Sequence, residues 1–241
     1  MPTRTLVACL ALTWIALTAP ARAGSNPDQI LLAAPFNDRP LNAQIGTGGA
    51  AVGEPVSISE NLQAVVVPTS LFASPHLRIR PLSTSGSRFA RFELLDSAEV
   101  RGGEVRVGFV LRPAQLGRFL VSVREQATAA DRFLDLTLLS NGQIAASAQG
   151  DAGLIVGTYT AGAVLAFELR FRVDAGTYSI VLNGSTIATN RPIGVTSGRG
   201  VGAVLFGTDN QATVGHDWFL DDVYVYRPDR LQASGFEASG L

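Results

Sequence analysis

The chain has 241 residues with 19 basic against 20 acidic side chains, so no broad positive field exists to hold nucleic acid or an anionic membrane. Hydrophobic residues make up 46% and charged residues 16%, which excludes a disordered chain. Every basic residue is Arg, Met and Cys occur once each and Gly occurs 25 times, a mixture that favours strands and turns over helices.

Residues 1–23 have the three parts of a secretory leader. Arg4 supplies the positive start, residues 6–17 the apolar stretch, and Ala21-Arg22-Ala23 the small-x-small cleavage site, with Pro20 breaking the apolar helix just before it. The apolar run, about a dozen residues, is shorter than the roughly 20 needed to span a bilayer. Leu6-Val7-Ala8-Cys9 is similar to a lipoprotein box but precedes the apolar stretch, so cleavage there would leave the hydrophobic run in place. Cleavage after Ala23 leaves about 220 residues without any Cys, a length at which a single core holds without disulfides. No later apolar run is long enough to cross a membrane. The expected product is secreted or periplasmic, with one domain over 24–226 and a tail over 227–241.

Strand periodicity runs through that domain. In chain order the candidates are 64–67, 77–80, 88–94, 104–112, 118–124, 132–139, 143–148, 153–157, 164–173, 177–182, 200–207 and 219–226. Over 104–112, Val105, Val107, Phe109 and Leu111 alternate with polar neighbours, and over 164–173 Leu165, Phe167, Leu169, Phe171 and Val173 do so without an error. A short helical turn near 113–117 is the best helix signal. Asn141-Gly142 and Asn183-Gly184 read as two-residue hairpin turns, because a type I′ turn needs φ > 0 at both central positions. So many short strands joined by turns predict an all-β, two-sheet antiparallel β-sandwich, a jelly roll.

FELRFRVDAGTYSIVLNGSTI (167–187) and WFLDDVYVY (218–226) resemble the long strand, turn and return strand, and the last strand, of the concanavalin A-like lectin/glucanase family, which includes laminin-G-like domains and many carbohydrate-binding modules. Residues 36–56 sit where that family's first strand pair lies. SGFEASG (234–240) is similar to a short Gly-Phe-Glu tail of exported bacterial proteins.

Catalytic constellations are sparse. Retaining glycosidases of this superfamily carry two carboxylates about 5 Å apart. Here Glu93 and Glu99 share a strand face but lie roughly 20 Å apart along an extended chain, with Asp96 on the opposite face. Pairing with Arg88, Arg91 or Arg101 accounts for them. No Gly-x-Ser-x-Gly elbow occurs, and only His76 and His216 follow the leader. The stretch 46–51 resembles a dinucleotide fingerprint, yet Glu54-Pro55 stops any helix there.

Metal and sugar chemistry have better raw material. Asp209, Asn210, Asp217, Asp221 and Asp222 cluster around the last strand, and Ca²⁺ takes about six to eight oxygens. Asp221 shares a face with Val223 and Val225 by alternation, where an unpaired carboxylate is costly. The family resemblance makes Asp221 the ligand candidate for a structural Ca²⁺; an Asp paired with Arg or with backbone N–H groups fits as well. Trp218, Tyr224 and Tyr226 are the candidate sugar-stacking aromatics, although ordinary sheet-surface aromatics have the same pattern. The outward rows with Arg106, Arg112, Arg118, Arg124, Glu168, Arg170 and Arg172 suit either an acidic polysaccharide or cross-strand ion pairing.

Three functions follow. The leading one is an exported, non-catalytic sandwich that binds a polysaccharide, cell-surface glycan or other surface ligand, with Ca²⁺ as a structural ion. The second is a glycosidase or lyase of the same fold, with His76 as base flanked by Arg78 and Arg80. The third is a structural or adhesive extracellular domain without a small ligand.

Overall fold

A computed structural model describes residues 30–228, apart from 47–48, 54–55, 69–70, 87, 126–130 and 196–197. The expected leader, most of the tail and part of the glycine-rich loop at 46–51 lie outside these residues.

Among the described residues fifteen strands follow one another: β1 Ile30–Ala34, β2 Ser57–Ile58, β3 Leu62–Val67, β4 His76–Pro81, β5 Phe89–Glu93, β6 Glu104–Pro113, β7 Phe119–Arg124, β8 Arg132–Leu138, β9 Gln143–Ser147, β10 Leu154–Thr158, β11 Leu165–Arg172, β12 Thr177–Leu182, β13 Ser185–Pro192, β14 Ala203–Gly207 and β15 Trp218–Tyr226. They form two antiparallel sheets. The larger runs β13-β12-β11-β6-β15-β4-β3, with β1 also on β15, and the smaller runs β10-β9-β8-β7-β14-β5-β2. The protein is therefore a two-sheet antiparallel β-sandwich, as its alternating strands predict.

Alternation explains which side chains meet. On β6, Val105, Val107, Phe109 and Leu111 are buried, and on β11 so are Leu165, Phe167, Leu169 and Phe171, while the residues between them face outward. The two strands pair in register with Phe109 opposite Phe167, whose rings stack at 5.1 Å. Phe109 also meets Phe206 of the smaller sheet edge to face at 5.3 Å, and Phe206 meets Phe92 at 5.5 Å. Two further aromatic pairs bridge the sheets: Phe119 with Trp218 at 4.8 Å, and Phe133 with Phe171 at 6.3 Å. The core is one continuous cluster.

The turns follow local chemistry with one revision. Asn183 (φ 49°) and Gly184 (φ 80°) both lie in the left-handed region, as a two-residue hairpin requires. At 139–143 only Gly142 does, at φ 81°; Gly142 N–H donates to Leu139 O at 3.0 Å, and Leu139 N–H donates to Gln143 O at 2.9 Å. That hairpin thus has a three-residue loop ending in a left-handed glycine, with the Asn141 side chain accepting from Gln143 N–H.

Three expectations at the element level are revised. Residues 114–116 are a bend and not a helical turn; among the described residues a 3-10 turn lies at Leu95–Ser97. The stretch 36–56 holds isolated bridges, Ala33 with Val52 and Gln44 with Val65, while the regular strands of that region are β1 before it and β2 after it. Most consequential is β15, where the register with β6 slips between Asp221 and Tyr224 and Asp222 has φ 49°. One extra residue there is a bulge that reverses the phase of alternation. Leu220, Val223 and Val225 face the core, and Asp221 faces outward opposite Val110, not inward with Val223 and Val225.

The inter-sheet aromatics predict a large cost for truncation. Phe206→Ala should lower unfolding stability by about 3–5 kcal/mol, seen as a reduced urea midpoint at unchanged slope. A loss below about 1 kcal/mol would mean that the ring is not packed between the sheets.

Candidate functional site

The outer face of the larger sheet gathers the polar residues that alternation leaves over. Register lines up one transverse row, Tyr226 on β15, Arg106 on β6, Arg170 on β11 and Ser179 on β12. The next row holds Tyr224, Gly108, Glu168, Val181 and Thr186, and on the other side lie Glu104, Arg172 and Thr177. Gly108 has no side chain and stands between Tyr224 and Glu168 in that row. A hollow of about 360 Å³ is lined by Glu104, Arg106, Arg170, Arg172, Ser179 and Asn190 among others.

Hydrogen bonds fix this face. Tyr226 OH donates to Glu168 Oε2 at 3.1 Å, Arg106 Nε donates to Glu104 Oε1 at 2.6 Å, and Arg170 Nε donates to Glu168 Oε1. Partial burial works to raise the Glu168 carboxyl, but Arg170, Tyr226 and Arg106 outweigh it and hold it below the ordinary value. Burial, and then the Glu168 charge, raise the Tyr226 phenol. Glu168 is thus an ionised anchor that orients a tyrosine and two arginines.

Of the aromatics proposed to stack on a sugar, Tyr224 and Tyr226 lie on this face, both half-buried. Trp218 does not. It is wholly buried with Leu220 on the core side and stacked on Phe119, so it presents no ring face to a ligand. Its odd position in the alternation of β15 carried the signal for burial, since it lies two residues from Leu220 on the same face. The remaining tyrosines, Tyr159 and Tyr178, are core residues.

The acidic residues of the last strand do not converge. Arg118 holds Asp209, with Nε 2.8 Å from Oδ2, and Arg80 clasps Asp217 through Nε and Nη2, both at 2.6 Å. Asp221 is buried, its Oδ2 accepting from Ser74 OH at 2.8 Å and its Oδ1 from Asp222 N–H at 2.9 Å. Among the described residues no group of three His, Cys, Asp or Glu side chains stands close enough to hold a metal. Both Asp221 oxygens already accept hydrogen bonds, and among the described residues no group of three such side chains gathers there, so the donor set seen here does not fit the roughly six to eight oxygens that Ca²⁺ takes.

His76 is in the same region and equally enclosed. Its ring is fully buried between Phe72, at 4.8 Å, and Phe219, at 5.5 Å, with Nδ1 3.1 Å from Ser74 O. Burial lowers its pKa, with the Arg112 charge adding to the effect. Arg78 and Arg80 are engaged by Gln63 and Asp217. A base with no exposed atom cannot reach a polysaccharide from this position. Glu93 and Glu99 are separated by the 3-10 turn at Leu95–Ser97, so the chain does bend between them, yet Arg91 and Arg101 hold them at 2.8 Å and 2.9 Å.

No protein-family model and no curated protein matches the sequence. In fold, the chain is similar to a botulinum neurotoxin serotype D binding domain, with a TM-score of 0.56, 14% identity, and coverage of 84% of this chain and 49% of that one. It is also similar to a sialidase, with a TM-score of 0.52, 12% identity, and coverage of 79% and 20%. A conserved carbohydrate esterase from a Shiga toxin-encoding bacteriophage matches with a TM-score of 0.52 at 10% identity, over 73% and 91%. The chain therefore spans about half of the toxin domain and a fifth of the sialidase. At such identities the likeness is one of fold: a β-sandwich. Among the described residues no helix is long and apolar enough to cross a membrane.

The burial of Asp221 makes a signed prediction. Desolvation raises its pKa from 3.8 to about 6, against the pull of Ser74 and the Asp222 N–H. The neutral carboxyl is the form favoured by folding, so this stabilisation is present below about pH 4 and lost as pH rises through about 6. Asp221→Asn should gain up to about 3 kcal/mol relative to the native chain between pH 4 and pH 8, read as a melting midpoint that rises relative to the native chain's as pH increases. Parallel pH profiles for the two proteins, or a native midpoint raised by millimolar Ca²⁺ and not in the variant, would contradict this account and restore a metal there.

Proposed function

We propose that the chain is an exported, non-catalytic carbohydrate- or surface-ligand-binding sandwich that takes its ligand on the outer face of the larger sheet. The observation that carries this reading is the hollow of about 360 Å³ on that face, lined by arginine, hydroxyl and amide groups and continued by Tyr226 in the same transverse row. A sugar presents an apolar ring face and a rim of hydroxyls, and a half-buried tyrosine beside directed polar groups is complementary to both. Export rests on the leader pattern of residues 1–23. The β11–β12 hairpin and the last strand, which carry the resemblance to concanavalin A-like sandwiches, adjoin the hollow, and we read the strand order as a jelly roll of that family. Calcium has no part in this reading. What weighs against a lyase is the enclosure of His76; turnover of an acidic polysaccharide abolished by His76→Ala would reinstate it.

A glycan array tests the reading. The native chain should bind a restricted set of glycans, and Tyr226→Ala should weaken that binding roughly tenfold while leaving the melting midpoint nearly unchanged. No binding to any glycan would favour a structural or adhesive domain. Binding indifferent to Tyr226→Ala would move the site off this face.

A further inference from the structure

The hollow carries a charge surplus of its own. Arg106, Arg170 and Arg172 line it with Glu104, and Glu168 stands beside them. Each glutamate is engaged along its own strand, Glu104 by Arg106 at 2.6 Å and Glu168 by Arg170. Register sets Arg172 directly opposite Glu104. Even so, among the described residues no carboxylate pairs with Arg172, because Glu104 turns to the arginine two places along β6. One exposed guanidinium beyond the local carboxylates therefore borders the hollow, in a chain whose formal net charge is -1.

The facing wall has a different character. Thr177 and Ser179 of β12 and Thr186, Thr189 and Asn190 of β13 contribute neutral polar groups. A bulge on β13, with Asn190 at φ 48°, aims this edge, and Asn190 N–H donates to Ser179 Oγ at 3.0 Å. The hollow thus combines a cationic side with a hydroxyl-rich side.

A guanidinium presents a planar fork of donors that matches paired oxygens on carboxylate or sulfate. A neutral sugar would displace water from Arg172 without offering it a charge-matched acceptor, whereas an acid group supplies one. We propose that the hollow selects glycans whose residues carry an acid group, a uronate carboxylate or a sulfate ester, and that Arg172 is the residue that reads the charge. The inference rests on the reading that this face binds glycan, and it adds the ligand class.

Titration calorimetry of the full chain with oligogalacturonate, dextran sulfate and neutral dextran tests it. One or both acidic probes should bind more tightly than dextran, more weakly as salt rises, and about tenfold more weakly to Arg172→Gln. Arg172→Lys should recover part of the loss, since it keeps the charge without the fork. Arg132→Gln, on the smaller sheet, should leave binding unchanged. Preference for oligogalacturonate alone assigns a carboxylate, and preference for dextran sulfate alone assigns a sulfate. Dextran bound as tightly as the acidic probes, or equal losses from Arg172→Gln and Arg132→Gln, would overturn charge selection while leaving glycan binding intact. Binding of none of the three probes would overturn the acid-group assignment, and the glycan array then decides whether glycan binding itself stands.

Discussion

The contact on which the structure depends is the aromatic layer between the two sheets. Phe109 is its hub, stacked on Phe167 within the larger sheet and edge-on to Phe206 across the gap. Rings of this size bury large apolar areas and prefer offset or edge-to-face contact, so they fix how the sheets sit as well as holding them together. Phe119 on Trp218, and Phe133 on Phe171, repeat the bridge at other points. The period of the strand does the rest. Every side chain committed inward on β6 or β11 places its neighbour outward, and that commitment sets Arg106, Glu168, Arg170 and Arg172 in rows on the opposite face.

Arginine without lysine defines the surface electrostatics of the protein. Asp209, Asp217, Glu93, Glu99, Glu104 and Glu168 are each met by a guanidinium, several through a side-on fork. Exposed pairs of this kind contribute little to stability, but they orient side chains and neutralise carboxylates that would otherwise be available to a cation. Among the described residues the acidic stretch around the last strand yields no metal cluster. Asp221 differs: among the described residues its carboxyl accepts from a hydroxyl and a backbone N–H, and burial raises its pKa.

Much of this architecture is legible from period two alone, and the failures have local causes. The inward faces of β6 and β11 follow directly from alternation, and the β12–β13 turn from Asn183-Gly184. The phase of β15 does not, because a bulge is one residue of backbone geometry with no strong sequence mark; Asp222 adopts φ 49° without being glycine. Alternation counted through it puts Asp221 on the wrong face. Trp218 misled for another reason: aromatics suit both a core and a sugar platform, and only its match in phase to Leu220 separates the two. The hollow was half visible, since the outward arginines stand in the sequence, but their alignment with Tyr226, Ser179 and Asn190 arises from pairing among distant strands. His76 is unavailable as a base because Phe72 and Phe219 enclose its ring, which spacing does not encode.

The central claim is that the aromatic layer seals the inner faces of the sheets and leaves the outer face of the larger one to meet the ligand. Hydrogen–deuterium exchange of the native chain with and without a bound acidic oligosaccharide addresses it most directly. The account predicts added protection in peptides spanning β6, β11 and β13, with the smaller sheet unaffected. Protection confined to β7, β8 and β9 of the smaller sheet would contradict it.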